Sequence, residues 1–193
     1  MSRTIAKVLR RDRAKEDGWI KAYLEAAPFG FLATVNDGQP FVNSNLFAYV
    51  DEPRVIYLHT ARRGRTRDNL EEGAKVAFSV GSMGRLLPAQ EALEFSVEYS
   101  GVAVFGRGSV VRDADEAERA LQMILDKYAP HLRPGSDYRR ILPEELKRTT
   151  VYRIDIDEWS GKEKFVESDF PGAYDLPHIP VPFPADRPPF SGP

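Results

Sequence analysis

The sequence contains no cysteine, and it has no long apolar stretch among its 193 residues. The absence of cysteine excludes disulfide bonds, thiolate catalysis and cysteine-ligated zinc or iron–sulfur sites. The charged N-terminal segment does not match the apolar core of a secretory signal, and a membrane-spanning helix would need about 20 apolar residues. We therefore expect a cytoplasmic protein with no membrane partner.

The chain also lacks a strong excess of either charge, because 27 basic residues face 29 acidic ones and the formal net charge is −2. Such a balance does not favour nucleic acid as a partner. Histidine is scarce as well. His59, His131 and His178 have no clustered or i, i+4 partner, so we predict no metal site.

Arginine is concentrated where one apolar segment ends. Residues 55–58 form a β-branched and aromatic run that predicts a buried strand. Arginines then surround Gly64, and Thr66 is the predicted N-cap of a short helix that Gly73 ends. Guanidinium groups and free helix N–H groups suit phosphate oxygens, so the segment is either a phosphate site or a solvated turn. The four arginines are Arg62, Arg63, Arg65 and Arg67.

Alternating apolar and polar residues, separated by turn signals, predict an antiparallel barrel of six or seven strands with few helices. Gly101, Gly106 and Gly108 are predicted to mark bulges or bends in the longest strand or strand pair. An Asp-Gly pair within 36–39 predicts a tight hairpin, and 81–92 is a predicted connection. The predicted strands span 30–35, 41–50, 55–58, 75–80, 95–111 and 151–159, and the predicted helices span 15–27, 66–72, 113–129 and 143–148.

Polar residues follow two patterns on these strands. Asn43, Ser44 and Asn45 are consecutive, which indicates either a strand that starts at the sheet rim or one that lines a polar pocket. Acidic residues alternate on later strands, a pattern that predicts a solvated face. These acidic residues are Glu94, Glu98, Asp155 and Asp157.

The sequence predicts three segments. Residues 1–27 form an N-terminal arm, loose at its start, and a helix; 28–163 form the barrel domain; and 164–193 form a tail. The tail contains eight prolines, too many for an element of the core, so it either wraps a surface in extended form or is disordered.

The order of short motifs resembles the pyridoxamine 5′-phosphate oxidase-like split-barrel flavoproteins over residues 28–163, and most closely the nitroimidazole-reductase-like branch. The motifs include Gly-Phe-Leu-Ala-Thr-Val, Asp-Gly-Gln-Pro, Tyr-Leu-His-Thr-Ala, Asp-Asn-Leu and Trp-Ser-Gly-Lys. The resemblance implies a mainly β fold, namely a six-stranded antiparallel Greek-key split barrel. It also implies a homodimer that binds FMN in clefts between its subunits.

The resemblance assigns roles to particular residues. Thr66 stands where relatives often have lysine, and Gly101 stands where they often have serine, so Ser100 beside it is the candidate cofactor contact on that strand. Either Trp159 plugs a strand end and Lys162 faces solvent, or both residues contact the neighbouring subunit's cofactor. The implied flavin contacts are Asn43 and Ser44 at the isoalloxazine edge, His59, Thr60 and Ala61 at the ring and ribityl chain, and Arg62, Arg63, Arg65 and Thr66 at the phosphate.

The resulting prediction is an FMN-dependent oxidoreductase that acts on a small molecule, with NADH, NADPH or another reductase as electron donor. His59 is the candidate catalytic residue, with a structural histidine as its alternative. Strict pyridoxamine-phosphate oxidase activity is not expected, because a proline-rich tail replaces that enzyme's C-terminal acid and arginine signature. The alternatives are a non-enzymatic flavin-binding or sensing protein, and a split barrel that binds a deazaflavin or haem.

Overall fold

The computed structural model describes residues 4–71 and 73–175, and it consists mainly of β-strands. The strands are β1 (Ala14–Lys15), β2 (Gly30–Asn36), β3 (Gln39–Asn45), β4 (Phe47–Val50), β5 (Val55–Ala61), β6 (Ala74–Leu87), β7 (Ser96–Val110) and β8 (Thr149–Lys164). The helices are α1 (Asp17–Ala26), α2 (Arg65–Leu70), α3 (Ala114–Tyr128) and α4 (Pro143–Leu146), and 3₁₀ turns cover Arg11–Arg13 and Ala92–Glu94.

A single chain segment closes the sheet into a barrel. The strand order is β3-β2-β6-β7-β8-β5-β4, and the two end strands, β3 and β4, are separated in the chain only by Leu46. The segment therefore pairs with β2 through its first half and with β5 through its second half, in both cases antiparallel. β1 has two residues and pairs only with β8, so the barrel consists of the seven strands β2 to β8, or six if β3 and β4 are counted as one interrupted segment.

The tight hairpin between β2 and β3 is confirmed. Asp37 and Gly38 have φ values of 49° and 75°, and Asn36 pairs with Gln39. Positive φ at both central residues is the type I′ geometry, which matches the twist of antiparallel strands. The predicted start of α3 is also confirmed, because Asp113 Oδ1 accepts a hydrogen bond from Glu116 N over 2.7 Å.

Apolar residues on both faces of β5 belong to two separate clusters. Ile56 and Leu58 are buried in the main core, whereas Val55 and Tyr57 are buried in a second cluster with α3 residues such as Ala120. Side chains alternate between the two faces of a strand, so a strand covered on both sides is a continuous apolar run. This arrangement explains the run at 55–58.

Several strands are longer than predicted. β6 continues to Leu87 through residues predicted to form a connection, β5 continues to Ala61, and β8 extends from Thr149 to Lys164. The N-terminal arm, predicted to be loose, forms β1 against β8. Backbone pairing with neighbouring strands stabilises these extensions, and local residue patterns do not record that pairing.

The chain divides into two compact units: residues 1–82 with 100–163, and residues 83–99 with 164–193. In the second unit, Arg85 donates hydrogen bonds to both carboxylate oxygens of Glu98, at 3.0 and 2.8 Å, and to the carbonyls of residues 166–168. Glu98 is only 6% exposed. Its predicted place on a solvated face is therefore wrong, because its carboxylate is buried with a guanidinium partner.

Part of the predicted tail, residues 164–193, lies outside the described residues. Leu86 and Tyr174 exchange backbone hydrogen bonds, so the described part of the tail pairs with the end of β6 within the second unit. The remainder, 176–193, which includes His178, lies outside the described residues. No helix between residues 4 and 175, with 72 set aside, is long and apolar enough to cross a bilayer.

Candidate functional site

The arginine-rich turn connects β5 to α2, and glycine begins the helix. Gly64 is the N-cap, and its carbonyl accepts hydrogen bonds from the backbone N–H groups of Arg67 and Asp68 at 2.9 and 3.2 Å. The prediction that Thr66 is the N-cap is therefore wrong. Gly64 has a φ of 142°, a conformation that favours glycine, and Thr66 lies one residue inside the helix.

Thr66 and Asn43 meet where α2 approaches β3. Asn43 Nδ2 donates to Thr66 Oγ1 over 3.3 Å and lies 3.4 Å from Asn45 Oδ1. Thr66 is 5% exposed. Ser44 is exposed on the opposite face of β3, so the structure joins only Asn43 of the predicted Asn43–Ser44 pair to α2.

These contacts belong to a larger group of polar side chains beneath α2. Asn69 Nδ2 donates to Thr34 Oγ1 over 2.7 Å, while Asn69 Oδ1 is buried without a hydrogen-bond partner among the described residues. We call the group the polar cluster. Its presence supports the polar-pocket interpretation of the second predicted strand over the sheet-rim interpretation. The members of the polar cluster are Thr34, Asn43, Asn45, Thr66 and Asn69.

The four arginines of the turn divide into two pairs. Arg62 donates to the carbonyl of Lys147 at 2.8 Å, and Arg67 Nε donates to Glu71 at 3.0 Å. Arg63 and Arg65 are exposed and have no anionic partner in the described part of the chain; the Arg65 guanidinium lies 5.4 Å from the Phe41 ring centre. Arg63 and Arg65 are therefore the two arginines of the turn whose side chains make no hydrogen bond within the described residues, whereas Arg62 is held by a neutral carbonyl and keeps its charge.

Thr60 and Ala61, the last residues of β5, have different surroundings. Thr60 Oγ1 lies 2.9 Å from the hydroxyl of Tyr152, a residue with no exposed surface, and burial raises the pKa of Tyr152. Ala61 is exposed and pairs with Thr149. Thr60 thus stabilises the end of the barrel, and Ala61 begins the turn.

His59 faces away from the barrel interior. It lies on the face of β5 that carries Tyr57, opposite Val151, and both of these residues belong to the cluster beneath α3. His59 Nδ1 is buried and has no hydrogen-bond partner among the residues described. Burial lowers the pKa of His59, so the imidazole is neutral near pH 7. A neutral ring can accept or donate one proton.

The remaining predicted contacts lie at the other end of β8. Trp159 Nε1 donates to Asp17 over 2.8 Å, and the Arg54 guanidinium lies 4.2 Å from its ring centre. Because Ala61 pairs with Thr149, Trp159 lies ten residues, or about 33 Å, along the strand from the arginine turn. Lys162 pairs with Ala14 still further along, and Ser100 Oγ donates to Glu163 at 3.3 Å.

One chain alone therefore does not bring Ser100, Trp159 and Lys162 to the arginine turn. Arg67 is the residue of the turn that the flavin assignment left out, and it joins α2 to β8 through Thr150 Oγ1 at 3.2 Å. No group of three or more histidine, aspartate or glutamate side chains that could hold a metal ion is present in residues 4–71 and 73–175.

Several solved structures share this fold. The FAD and heme binding protein from Mycobacterium smegmatis aligns with a TM-score of 0.71 and 24% identity, covering 80% of this chain and 74% of that protein. The flavocytochrome Anf3 from Azotobacter vinelandii aligns with a TM-score of 0.72 and 22% identity, covering 97% and 92%. A candidate 5-nitroimidazole antibiotic resistance protein from Bacteroides thetaiotaomicron aligns with a TM-score of 0.63 and 19% identity, covering 77% and 84%.

Comparison with curated protein sequences gave no significant match. A family model, described as pyridoxamine 5′-phosphate oxidase, matches residues 16–163. The match covers most of the chain, including every strand from β2 to β7 and nearly all of β8. The chain therefore belongs to the pyridoxamine 5′-phosphate oxidase family.

Proposed function

We propose that this protein is a homodimeric flavoprotein that binds FMN at the turn between β5 and α2 and oxidises or reduces a small molecule. The observation that carries the proposal is the pair of exposed guanidinium groups of Arg63 and Arg65, which have no anionic partner in the described residues. They lie in the same turn as Thr66, which contacts Asn43 of the polar cluster. Two of the proteins that share the fold are a FAD and heme binding protein and a flavocytochrome, which supports a flavin.

The charge of the turn fits FMN. A phosphate monoester carries a charge of about −1.5 to −2 near pH 7, and two guanidinium groups balance it. Guanidinium forks also match the spacing of phosphate oxygens. Arg62 already donates to the backbone carbonyl of Lys147 and Arg67 to the carboxylate of Glu71, so Arg63 and Arg65 are the pair that we assign to the phosphate.

A second subunit would complete the site. Phe31, Val35 and Val42 are 45%, 54% and 58% exposed on the outer face of the β2–β3 hairpin. An apolar patch on a sheet face is typical of a protein–protein interface. A twofold dimer would also allow Trp159 and Lys162 of one subunit to approach the arginine turn of the other, which a single chain does not achieve.

The flavin would supply the electron transfer, and the protein would supply position and charge. Arg63 and Arg65 would bind the phosphate and fix the cofactor, and Asn43, the half-buried member of the polar cluster, would offer a hydrogen bond to its polar edge. The buried Nδ1 of neutral His59 would hold or transfer a proton near the reacting molecule. We propose NADH or NADPH as the source of electrons.

The cofactor proposal is tested by spectroscopy and titration. We expect the purified protein to show a two-band flavin spectrum, with FMN released on heating, and to bind FMN more tightly than FAD. Replacing Arg63 and Arg65 with alanine should weaken FMN binding on the order of 100-fold, because two charge-assisted contacts are lost. The matched control is Arg107→Ala with Arg119→Ala, two exposed arginines on β7 and α3.

Each alternative predicts a different result. Equal FMN affinity in the two double variants would contradict the assignment of Arg63 and Arg65 to the phosphate. Tighter binding of FAD than of FMN would make FAD the proposed cofactor. A single intense Soret band would indicate haem, and a colourless protein that ignores both flavins would indicate a deazaflavin or no cofactor. A flavin-loaded dimer that shows no turnover with NADH or NADPH and a panel of acceptors would be a binding or sensing protein.

A further inference from the structure

A cavity of about 520 Å³ lies beside the arginine turn, between α3, α4 and the start of β8. Its volume is in the range of ligand pockets, which is roughly 300–1,000 Å³. Val111, Ala117, Leu146 and Val151 provide an apolar floor, and Ala117 and Val151 are buried in the cluster beneath α3. We call this cavity the cationic pocket because of the side chains that surround the floor.

Four basic residues line the cationic pocket: Arg62, Arg67, Arg112 and Lys147. They come from the β5–α2 turn, from α2, from the segment before α3 and from the end of α4. These segments are distant in sequence, so the barrel and its helices bring the four charges together. The sequence alone shows a cluster only at the turn.

Two carboxylates partly balance these charges. Glu71 accepts hydrogen bonds from Arg67 at 3.0 Å and from Arg112 at 3.2 Å, and the bond from Arg67 lowers the pKa of Glu71. Asp113 lines the pocket, but its Oδ1 accepts the hydrogen bond from Glu116 N that caps α3. Four positive and two negative charges leave an excess of two positive charges around an apolar floor.

We propose that the cationic pocket is a second ligand site, separate from the flavin site, for a phosphate monoester on a small apolar or aromatic body. A dianionic phosphate would neutralise the excess charge, and the body would cover the floor. The pocket is partly preorganised, because Thr150 Oγ1 and Glu71 hold the Arg67 guanidinium and the carbonyl of Lys147 holds Arg62. Preorganised side chains lose less entropy when a ligand binds.

The proposed flavin site does not use this pocket, although the resemblance assigned Arg62, which lines it, to the flavin phosphate. Arg63 and Arg65 carry the proposed flavin phosphate, and neither residue lines the cavity. The two sites therefore make independent predictions. Phenyl phosphate is a suitable probe because it combines a dianion with an aromatic ring of the required size.

The experiment is a calorimetric titration of the full-length protein with phenyl phosphate, carried out with and without saturating FMN. The test variant is Arg112→Gln with Lys147→Gln, and the control is Arg107→Gln with Arg119→Gln, which removes the same charge from exposed positions outside the pocket. We expect the test variant to bind phenyl phosphate at least about tenfold more weakly and the control to match the original protein. Inorganic phosphate should bind more weakly than phenyl phosphate, because it leaves the apolar floor uncovered.

Three outcomes would overturn the proposal. One is no binding of phenyl phosphate at millimolar concentration. The second is an equal loss in both double variants, which would indicate general electrostatic attraction. The third is competition between phenyl phosphate and FMN, which would make the pocket part of the flavin site. If the double variant does not fold, Lys147→Gln compared with Lys75→Gln applies the same test at two exposed positions, of which only Lys147 lines the pocket.

Discussion

Asn43 Nδ2 donates a hydrogen bond to Thr66 Oγ1 over 3.3 Å and thereby joins β3 to α2 next to the arginine turn. The resemblance places Thr66 where relatives often have lysine. Here its side chain is uncharged and only 5% exposed, so it does not supply the positive charge that a lysine would. In the proposed flavin site that charge comes from the exposed arginines of the turn, Arg63 and Arg65.

Replacing Thr66 with valine tests the contact to Asn43. The valine has nearly the same shape but no hydrogen-bond acceptor, so Asn43 Nδ2 loses its 3.3 Å partner. We expect the free energy of unfolding to fall by about 1 kcal/mol and the melting temperature to fall by about 2–4 °C. Thr4→Val, at an exposed position, should leave the melting temperature unchanged. Identical melting curves for both variants would mean that the Asn43 contact contributes nothing.

Replacing Gly106 with alanine tests the approach of β7 to β8. An added Cβ would lie 2.0 Å from the carbonyl oxygen of Asp155, so the backbone must move. We expect denaturant unfolding to show a loss of at least about 2–3 kcal/mol. The control is Gly18→Ala in α1, where the nearest atom is 3.4 Å away and alanine should stabilise the helix by about 0.5–1 kcal/mol. A mild effect at Gly106 would contradict this account.

Replacing Glu98 with glutamine tests the ion pair of the second unit. The hydrogen bond from Arg85 lowers the pKa of Glu98 to about 2, below the unfolded value of about 4.3. A carboxylate with a lowered folded pKa stabilises the protein above its unfolded pKa, and this stabilisation is lost as the pH falls towards 2.

The free energy of unfolding should therefore fall more steeply between pH 5 and 3 in the original protein than in Glu98→Gln. Hydrogen exchange at Val166, whose N–H donates to Glu98 Oε1 at 3.1 Å, should also be faster in the variant. Glu94→Gln, at an exposed position, is the control. Parallel pH profiles in all three proteins would refute the proposed role of Glu98.

Replacing Lys127 with methionine tests a half-buried amine. The Lys127 ammonium lies 3.7 Å from the Phe47 ring centre and donates to the carbonyl of Leu24, and burial lowers its pKa to about 8. Because the unfolded pKa is about 10.4, the original protein should gain stability relative to Lys127→Met as the pH rises from 8 to 10.

The expected gain is about 1–3 kcal/mol, reduced from the full effect of the shift because the aromatic ring stabilises the charged form. Urea unfolding at the two pH values measures it. Lys75→Met, at an exposed position, should show no such difference. A difference between Lys127→Met and the original protein that does not change with pH would contradict the lowered pKa.

Replacing His59 with glutamine tests its role in turnover. Burial lowers the pKa of His59 below its ordinary value of about 6.5, so the folded protein favours the neutral imidazole. The free energy of unfolding should therefore decline as the pH falls below 6.5. If His59 transfers a proton, the variant should keep its flavin and lose on the order of 100-fold in turnover, together with the acidic limb of the pH profile. His131→Gln, at an exposed position, should retain both. Unchanged turnover in His59→Gln would indicate that His59 has only a structural role.

Local patterns were sufficient to predict most secondary structure elements. The Asp-Gly pair predicted the hairpin between β2 and β3, Asp113 predicted the start of α3, and the β-branched and aromatic run predicted that residues 55–58 of β5 are buried. Each of these features depends on residues within about four positions of one another along the chain. The motif order, read as a resemblance, also predicted the family to which the chain belongs.

Tertiary structure decided the features that depend on distant residues. Glu98 is buried because Arg85 pairs with it across the β6–β7 hairpin. β7 is one continuous strand, and Gly106 lets the backbone carbonyl of Asp155 approach it closely because glycine has no Cβ. A strand pattern does not record which neighbour lies opposite.

The candidate sites show the same division. The sequence by itself determined that four arginines share one turn. Only the folded chain separated them, because the Glu71 carboxylate accepts from Arg67 and the Lys147 carbonyl accepts from Arg62, while the side chains of Arg63 and Arg65 make no hydrogen bond within the described residues. Partners of this kind are set by sheet order and helix packing, so their identity follows from long-range contacts that no local residue pattern contains.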